Sequence, residues 1–206
     1  ILQPPIGRAE PLGVAAPTTI ADREGNILGL VRMDGALETV SIDARGVGGL
    51  EAVDGIVATS LISATKAGTA AFLSTSEGNA FTTRTAGHII QRHFPPGVPR
   101  QDGGPLFGVQ LSSLPTSDVN RLPLGLSADP GGVPLYRGGE LVGAIGVEVD
   151  GVYTVDSTRI GGSATDEERI ALAGQVTFEP PRNIRADKVF IDGIRLDYAN
   201  GSPPRL

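Results

Sequence analysis

The sequence predicts an α/β fold of the α+β type, in which an antiparallel sheet is flanked by helices. Short apolar runs separated by tight turn signals predict consecutive β-hairpins. Other segments repeat their apolar residues at three- and four-residue spacing, which predicts amphipathic helices. The 206 residues are 40% hydrophobic and 19% charged, a composition typical of a globular domain, so residues 1–206 are interpreted as a single domain.

Four turn signals lie between strand-like runs, and each predicts a tight hairpin. Asp-Gly and Gly-Gly pairs favour such turns because their residues tolerate a positive φ. The segment "VPLYRGGELVGAIGVEVDGVYTVD" contains two of these turns and predicts three consecutive antiparallel strands. The four turns are Arg23-Glu24-Gly25-Asn26, Gly138-Gly139, Asp150-Gly151 and Asp192-Gly193.

A long helix is predicted over about residues 52–74. Its apolar residues form a stripe at helical spacing, and this stripe is expected to pack on the sheet. Lys66 interrupts the otherwise neutral segment and is predicted to lie on the opposite side, in solvent or at a subunit contact. The stripe consists of Val53, Ile56, Val57, Leu61, Ala64, Gly68, Ala71 and Phe72.

Two shorter helices are predicted from their capping residues. One spans about residues 82–93, because Thr82 or Thr83 can cap its start and Pro95 prevents its continuation. The other lies in "SATDEERIALAG", where a Thr and the Glu three residues later form a capping box and a Gly ends the helix.

Charge and composition exclude several classes of partner. The formal net charge is −6, only 4% of the residues are aromatic, and no basic stripe is visible, so nucleic-acid binding is not expected. The longest run of low charge, residues 56–73, is too polar for a membrane span. Cysteine is absent, which removes disulfides and thiolate metal sites. The chain begins with Ile1, which suggests a processed or partial product, and a secreted or periplasmic location is expected.

Several motifs of catalysis are absent from the sequence. There is no G-x-S-x-G, H-E-x-x-H or G-x-x-x-x-G-K-[ST] motif, and "RGVGGLE" lacks the third glycine of a dinucleotide-binding loop. Acidic pairs such as Glu148 with Asp150 lie beside turns, where carboxylates are usually solvated caps or edge charges. The protein is therefore predicted not to be an enzyme.

His88 and His93 are the two histidines, and imidazole is a common axial ligand of haem or a transition metal. Five residues apart on one helix, they point in different directions, so at most one of them could bind a given metal ion. The alternative is that both lie on the helix surface near a proline stop, with one packed or close to the helix C-terminus.

Several segments together resemble the GlcG/HbpS-type haem-binding family. The glycine-rich hairpin "PGGVPLYRGGELVGAIGV" is the most specific of them, and "ADREGNILGLVRMDGA", "SIDA", "KAGTAAFL" and "GGSATDEERIALAG" match in order as well as in wording. The resemblance covers about residues 18–174. It implies an antiparallel sheet of about five strands flanked by helices in a profilin-like layout, haem binding without an established catalytic triad, and assembly into a homo-oligomer.

The sequence departs from this family in three places. The usual leading helix is missing or replaced by "ILQPPIGRAEPLG". A loop-rich insertion at about residues 74–130, with a short strand expected at "LFGVQL", carries both histidines. An extension at about residues 175–206 adds a C-terminal hairpin.

Two functional hypotheses follow from these observations. The first is a non-enzymatic protein that binds a small ligand, with haem as the expected ligand, in a cleft between the 52–74 helix and the glycine-bearing strands. Gly143 and Gly146 lie inside a strand where no turn requires glycine, so they could let a flat ligand approach the backbone. The expected cofactor-binding residues are His88, His93, Gly143 and Gly146, with the two histidines as the iron ligands. The alternative is a self-assembling structural subunit in which the same glycines allow close packing.

Overall fold

The structure is a computed structural model, and the elements named below all lie within the residues that it describes. These residues are 3–43, 55–91, 93–96, 98, 102–107, 122, 124–154 and 163–199. The helices are α1 (Gln3–Leu12), α2 (Thr59–Phe72), α3 (Thr83–Ile90) and α4 (Asp166–Gln175). The strands are β1 (Pro17–Asp22), β2 (Ile27–Arg32), β3 (Thr39–Asp43), β4 (Gly55–Ala58), β5 (Gly132–Arg137), β6 (Glu140–Val147), β7 (Val152–Thr154), β8 (Phe190–Ile191) and β9 (Ile194–Arg195).

The main sheet has four antiparallel strands in the order β2-β1-β6-β5. The turn at residues 23–26 joins β1 to β2, and Gly138-Gly139 joins β5 to β6, as predicted. Arg137 pairs with Glu140 and Tyr136 with Leu141 across the second turn. The mixed fold with antiparallel sheet and flanking helices is therefore confirmed, with four strands in the main sheet where about five were expected.

A second sheet has three strands in the order β4-β3-β7. The turn at Asp150-Gly151 leads into β7, which was predicted to pair with β6 as the third strand of a meander. That prediction is wrong, because β7 pairs in parallel with β3 instead. The last predicted turn, Asp192-Gly193, does join a two-stranded hairpin of β8 and β9.

Helices cover both faces of the main sheet. Helix α2 lies across β1, β5 and β6 on one face, and α4 packs on β5 and β6 from the other side, with α1 packed against α4. The larger hydrophobic core lies on the α4 side and includes Ile20, Ile89, Val133, Leu135, Tyr136, Ile145, Val147, Ile170, Leu172, Ile184, Leu196 and Tyr198. A smaller cluster of alanines joins α2 to β6 through Ala70, Ala71 and Ala144.

Helix α2 is shorter than the predicted helix over residues 52–74. Residues 55–58 form strand β4, which pairs with β3, and residues 52–54 lie outside the described residues. The predicted apolar stripe is only partly buried: Ala64 and Ala71 are 5% and 2% exposed, whereas Leu61 and Phe72 are 40% and 68% exposed. The face of α2 that meets the sheet carries Ser63, Lys66 and Ala67, which lie against glycines of the strands.

The first segment, "ILQPPIGRAEPLG", was expected to replace a leading helix, and this expectation is wrong. Residues 3–12 form α1 in spite of their prolines. Prolines near the start of a helix are tolerated because the first backbone N–H groups have no partner within the helix. Buried Ala9 and Pro5 fix α1 to the core, and Pro5 lies next to Gly174 of α4.

Helix α3 begins at the predicted place and ends three residues early. The Thr82 side chain accepts from the backbone N–H of Thr85, and the Thr85 side chain accepts from the Thr82 N–H. The helix stops at Ile90 because residues 102–107 take over its C-terminal carbonyls: Leu106 donates to Ile89 and Gly104 to Gln91. The predicted strand at "LFGVQL" is not formed at residues 106 and 107, which lie in or next to a turn, and the rest of it lies outside the described residues.

The insertion and the C-terminal extension fold against each other. The hydroxyl of Thr82 donates to the carbonyl of Tyr198, and that of Thr85 donates to the carbonyl of Asp197. Ala80 and Arg185 form an isolated parallel β-bridge through their backbones. The guanidinium of Arg185 lies 4.6 Å from the centroid of the Tyr198 ring. The described parts of residues 74–130 and 175–206 thus pack against each other. No helix in the described part of the chain is long and apolar enough to cross a membrane.

Candidate functional site

A pair of facing glycines lets α2 lie directly on the sheet. Gly132 of β5 pairs with Gly146 of β6. A Cβ on Gly146 would overlap the carbonyl of Ser63 and lie 2.5 Å from the backbone nitrogen of Ala67, and a Cβ on Gly132 would overlap the carbonyl of Lys66. The turn of α2 that contains Lys66 therefore packs directly on this glycine pair, which we call the glycine seat.

This seat corrects the predicted cleft between the helix and the glycine-bearing strands. At Gly146 the space is filled by the backbone of α2, so no macrocycle fits between them. Gly143 serves a different purpose: its φ is +158°, and a Cβ there would overlap the carbonyl of Ala21 on the neighbouring strand. Both glycines are explained by close approach of protein backbone.

Lys66 is completely buried, contrary to the prediction that it faces solvent or another subunit. Its Nζ lies 2.7 Å from Oε2 of Glu148 and 3.0 Å from Oδ2 of Asp129. The prediction placed its side chain opposite a presumed apolar stripe. That stripe is only partly buried, and the face of α2 that meets the sheet is the one that carries Lys66.

The register of the β5–β6 hairpin brings the two carboxylates together. Asp129 lies three residues before Gly132, and Glu148 lies two residues after Gly146, the residue paired with Gly132. Both acids consequently flank the same end of the hairpin. Glu148 is fully buried, which corrects its interpretation as a solvated edge charge, whereas Asp150 is exposed and accepts from the Val152 N–H as a turn residue does.

The cluster contains more buried acids than bases. Glu167 of α4 is 5% exposed and contributes a third carboxylate, which also accepts from the backbone N–H of Asp150. Burial alone lowers the pKa of Lys66, but Asp129, Glu148 and Glu167 raise it, and the net shift is upward. Lys66 therefore stays charged while three carboxylates compete for it.

The pKa values of the carboxylates are also raised, which for an acid favours the neutral form. Burial raises the pKa of Asp129 well above its usual range; Lys66 opposes that rise only in part, and Glu148 adds to it. Burial likewise raises the pKa of Glu148 against the opposing effect of Lys66. Burial also raises the pKa of the Tyr153 phenol on β7, and a side-chain hydrogen bond with Ser127 opposes that rise. One ammonium cannot compensate the desolvation of all these groups.

Three acids of this region stand close enough to hold a cation. Oxygens of Glu148, Asp150 and Glu167 lie within 4.8 Å of one another. The Lys66 ammonium already supplies positive charge to Glu148, and backbone N–H groups satisfy oxygens of the other two. The arrangement is accounted for without a metal ion.

The first predicted iron ligand, His88, lies in the interior. It sits on α3, all of whose residues are buried, and it is 1% exposed. Arg84, one turn earlier on the same face, forms a two-pronged ion pair with Glu168 of α4, with distances of 2.6 and 2.8 Å. A ligand could reach His88 only if the segments around α3 moved.

The second predicted ligand, His93, lies outside the helix, so the argument from five helical steps does not apply to it. It is partly exposed and follows the extended Gln91. The backbone of Phe94 donates to Asp102, which ties this segment to residues 102–107. Phe107 and Val98, from the same corner of the molecule, are 46% and 36% exposed. A partly exposed imidazole is a donor that fits the iron of haem.

Sequence reasoning missed the buried cluster at Lys66, although two signals pointed to it. Lys66 has no acidic residue three or four positions away on its own helix. Asp129 and Glu148 also bracket the glycine hairpin symmetrically. The sequence did not reveal that Gly132 and Gly146 contact α2, and this contact decides which face of the helix meets the sheet.

These features define a class of protein: an α+β domain whose four-stranded antiparallel sheet is covered by helices on both faces. The chain matches no protein-family model and none of the curated proteins. It is similar to a crystal structure of PduOC in complex with heme, with a TM-score of 0.52 and 21% identity over 85% of this chain and 87% of that one.

Two further solved structures show weaker likeness. Protein ORFY of Klebsiella pneumoniae has a TM-score of 0.49 and 22% identity, over 85% of this chain and 82% of that one. A double mutant of HbpS from Streptomyces reticuli has a TM-score of 0.44 and 19% identity, over 85% and 79%. The likeness to PduOC, at 21% identity, shows a shared fold, as the resemblance seen in the sequence implies.

Proposed function

We propose that this protein binds haem and that the imidazole of His93 is a ligand of the iron. The observation that supports the proposal is the fold, which the chain shares with PduOC, a protein crystallised in complex with heme. Haem, when bound, supplies an iron centre whose properties depend on its axial ligand and its surroundings. The proposal describes a binding protein rather than an enzyme, in a secreted or periplasmic location.

Accessibility favours His93 over His88. His93 is partly exposed, so its ring can meet a ligand without rearrangement of α3. Phe107 and Val98, on neighbouring stretches of the chain, are also exposed and apolar. His88 would have to leave the interior first, and that movement would cost the packing of the whole helix.

A titration with hemin tests the assignment. We expect a shift of the Soret band with the wild-type protein and its loss in His93→Ala. His88→Gln serves as the matched control, because it removes the other imidazole and should keep the shift. Loss of the shift only in His88→Gln would move the ligand to the interior, and a shift in neither the wild type nor the variants would end the haem proposal.

A second candidate function is self-assembly, and the outer strand of the main sheet favours it. Strand β2 lies at the edge, and Ile27, Leu28 and Leu30 on it are 52%, 67% and 43% exposed. An apolar edge strand is a template for pairing with another strand. We propose a second copy of the chain as the partner, because antiparallel pairing of two β2 strands places the same surface on both sides of a twofold axis.

Light scattering coupled to size exclusion tests this candidate. Leu28→Lys should shift a dimer to the monomer, since charge on an edge strand opposes pairing. Phe190→Lys is the control, because Phe190 is 62% exposed on a different hairpin and should leave the mass unchanged. A monomeric wild-type protein at high concentration would contradict self-assembly.

A further inference from the structure

A strap formed by residues 125–131 joins the insertion to the main sheet and lies between α2 and α3. The Ser127 N–H donates to the hydroxyl of Thr69 on α2 at 2.8 Å. On the other side, a Cβ on Gly87 of α3 would lie 2.5 Å from the carbonyl of Ala128. Ser127 and Ala128 are 0% and 6% exposed, so the strap is packed between the two helices.

One charged residue of the strap, Asp129, reaches the buried cluster. Its side chain is 13% exposed and lies 3.0 Å from the ammonium of Lys66. This ammonium is shared with Glu148, whose oxygen is closer, at 2.7 Å. Asp129 and Glu148 therefore share a single buried cation.

The groups that act on Asp129 come from every element around it. Helix α2 presents Lys66, the chain after β6 presents Glu148, α4 presents Glu167, and β7 presents Tyr153. Asp150 adds a further negative charge beside Glu148. Helix α3 presents Thr83 and Gly87 to this region, while its Arg84 is directed to Glu168. With all acids ionised, negative charge is in excess.

We propose that Asp129 takes up a proton when the strap is closed, so that acid holds the strap on α2 and α3 and rising pH loosens it. Opening the strap would carry Asp129 into water, where its ionised form is favoured. Closing it removes Asp129 from water and places it among other acids. The closed strap thus binds a proton more tightly than the open strap, in line with the raised pKa of Asp129.

The consequence is a conformational change coupled to pH at the helix that carries His88. The strap touches α3 at Gly87, the residue before His88, so loosening of the strap uncovers that turn of the helix. The opening equilibrium changes by about tenfold for each unit by which the two states differ in pKa. This inference does not depend on haem binding, because its readout is the protection of the strap itself.

Hydrogen exchange followed by mass spectrometry tests the proposal on the full chain. After correction for the intrinsic pH dependence of exchange, protection of residues 125–131 should fall as pH rises. Asp129→Asn, which cannot ionise, should abolish this dependence. Protection that stays constant with pH, or that falls on acidification, would overturn the proposal, and so would an unchanged pH dependence in Asp129→Asn.

A second variant keeps the test decisive if Asp129→Asn does not fold. Glu167→Gln removes one negative charge near Asp129 and should move the midpoint of the loss of protection to lower pH. Asp166→Asn, at the exposed neighbouring position on α4, is the matched control and should leave the midpoint unchanged. A midpoint that moves equally in both variants, or in neither, contradicts the role of the buried cluster.

Discussion

Gly132 and Gly146 face each other across β5 and β6, and a Cβ on either one would overlap the backbone of α2. This relationship sets the height and rotation of the helix above the sheet. It also directs Lys66 to the end of the hairpin, where Asp129 and Glu148 flank it. The glycine-rich hairpin is therefore an element of helix packing, and the buried charges follow from it.

The glycine seat predicts a large effect of a single methyl group. Gly146→Ala should lower the free energy of unfolding by about 1–3 kcal/mol, because the Cβ meets helix backbone that has no room to move. Gly7→Ala is the control: no atom lies within 4 Å of its Cβ position, and alanine favours the helix there. Urea denaturation measures both, and equal stability of Gly146→Ala and wild type would contradict the seat.

Removal of the buried ammonium should be costly. Lys66→Met leaves Asp129 and Glu148 without their cation, and we expect a loss of about 3–5 kcal/mol in unfolding free energy near neutral pH. The deficit should shrink in acid, where both carboxylates are protonated. Arg169→Ala breaks an exposed ion pair with Asp166 and should cost less than about 1 kcal/mol. Comparable losses in the two variants would show that the cluster contributes little.

The phenols provide a prediction at alkaline pH. Burial raises the pKa of Tyr136 to about 12, and it raises the pKa values of Tyr153 and Tyr198 further. A phenol whose pKa is higher in the folded state contributes stability below its unfolded pKa of 10.0, and that contribution is lost as pH rises through the folded value. In a pH titration, the near-ultraviolet absorbance of tyrosinate should therefore appear at higher pH in the folded protein than in the unfolded chain. Titration of all three phenols near pH 10 in the folded protein would refute this.

The contact between the insertion and the C-terminal extension can be tested at the cap of α3. Thr82→Ala removes both the helix cap and the hydrogen bond to the carbonyl of Tyr198, and should cost about 0.5–2 kcal/mol. Thr82→Ser keeps the hydroxyl and should restore most of the stability. Hydrogen exchange should show the loss of protection first in α3 and in residues 196–199. Loss spread evenly over the chain would argue against a local anchor.

Local features of the fold could be predicted from the sequence, and features set by distant contacts could not. The turns at residues 23–26 and at Gly138-Gly139, the capping box at Thr165 and Glu168, and the cap at Thr82 are fixed by neighbouring residues. The partner of β7 was mispredicted, because β3 lies about 110 residues earlier and no local signal selects it. The start of α2 was misplaced because pairing with β3 converts residues 55–58 to a strand.

The candidate site shows the same division. The two histidines can be identified in the sequence, but whether each of them is buried depends on which distant segments pack around it. Lys66 was predicted to lie in solvent or at a subunit contact because its partners are 63 and 82 residues away, on the two sides of the hairpin. A lysine amid small residues is informative only once the facing strand is known.

The most direct test of the proposed function is the visible spectrum of the folded protein during addition of hemin. We predict a shifted Soret band that saturates at one haem per chain and is lost on unfolding in urea. A spectrum that remains that of free hemin in buffer throughout the titration would contradict haem binding by this protein.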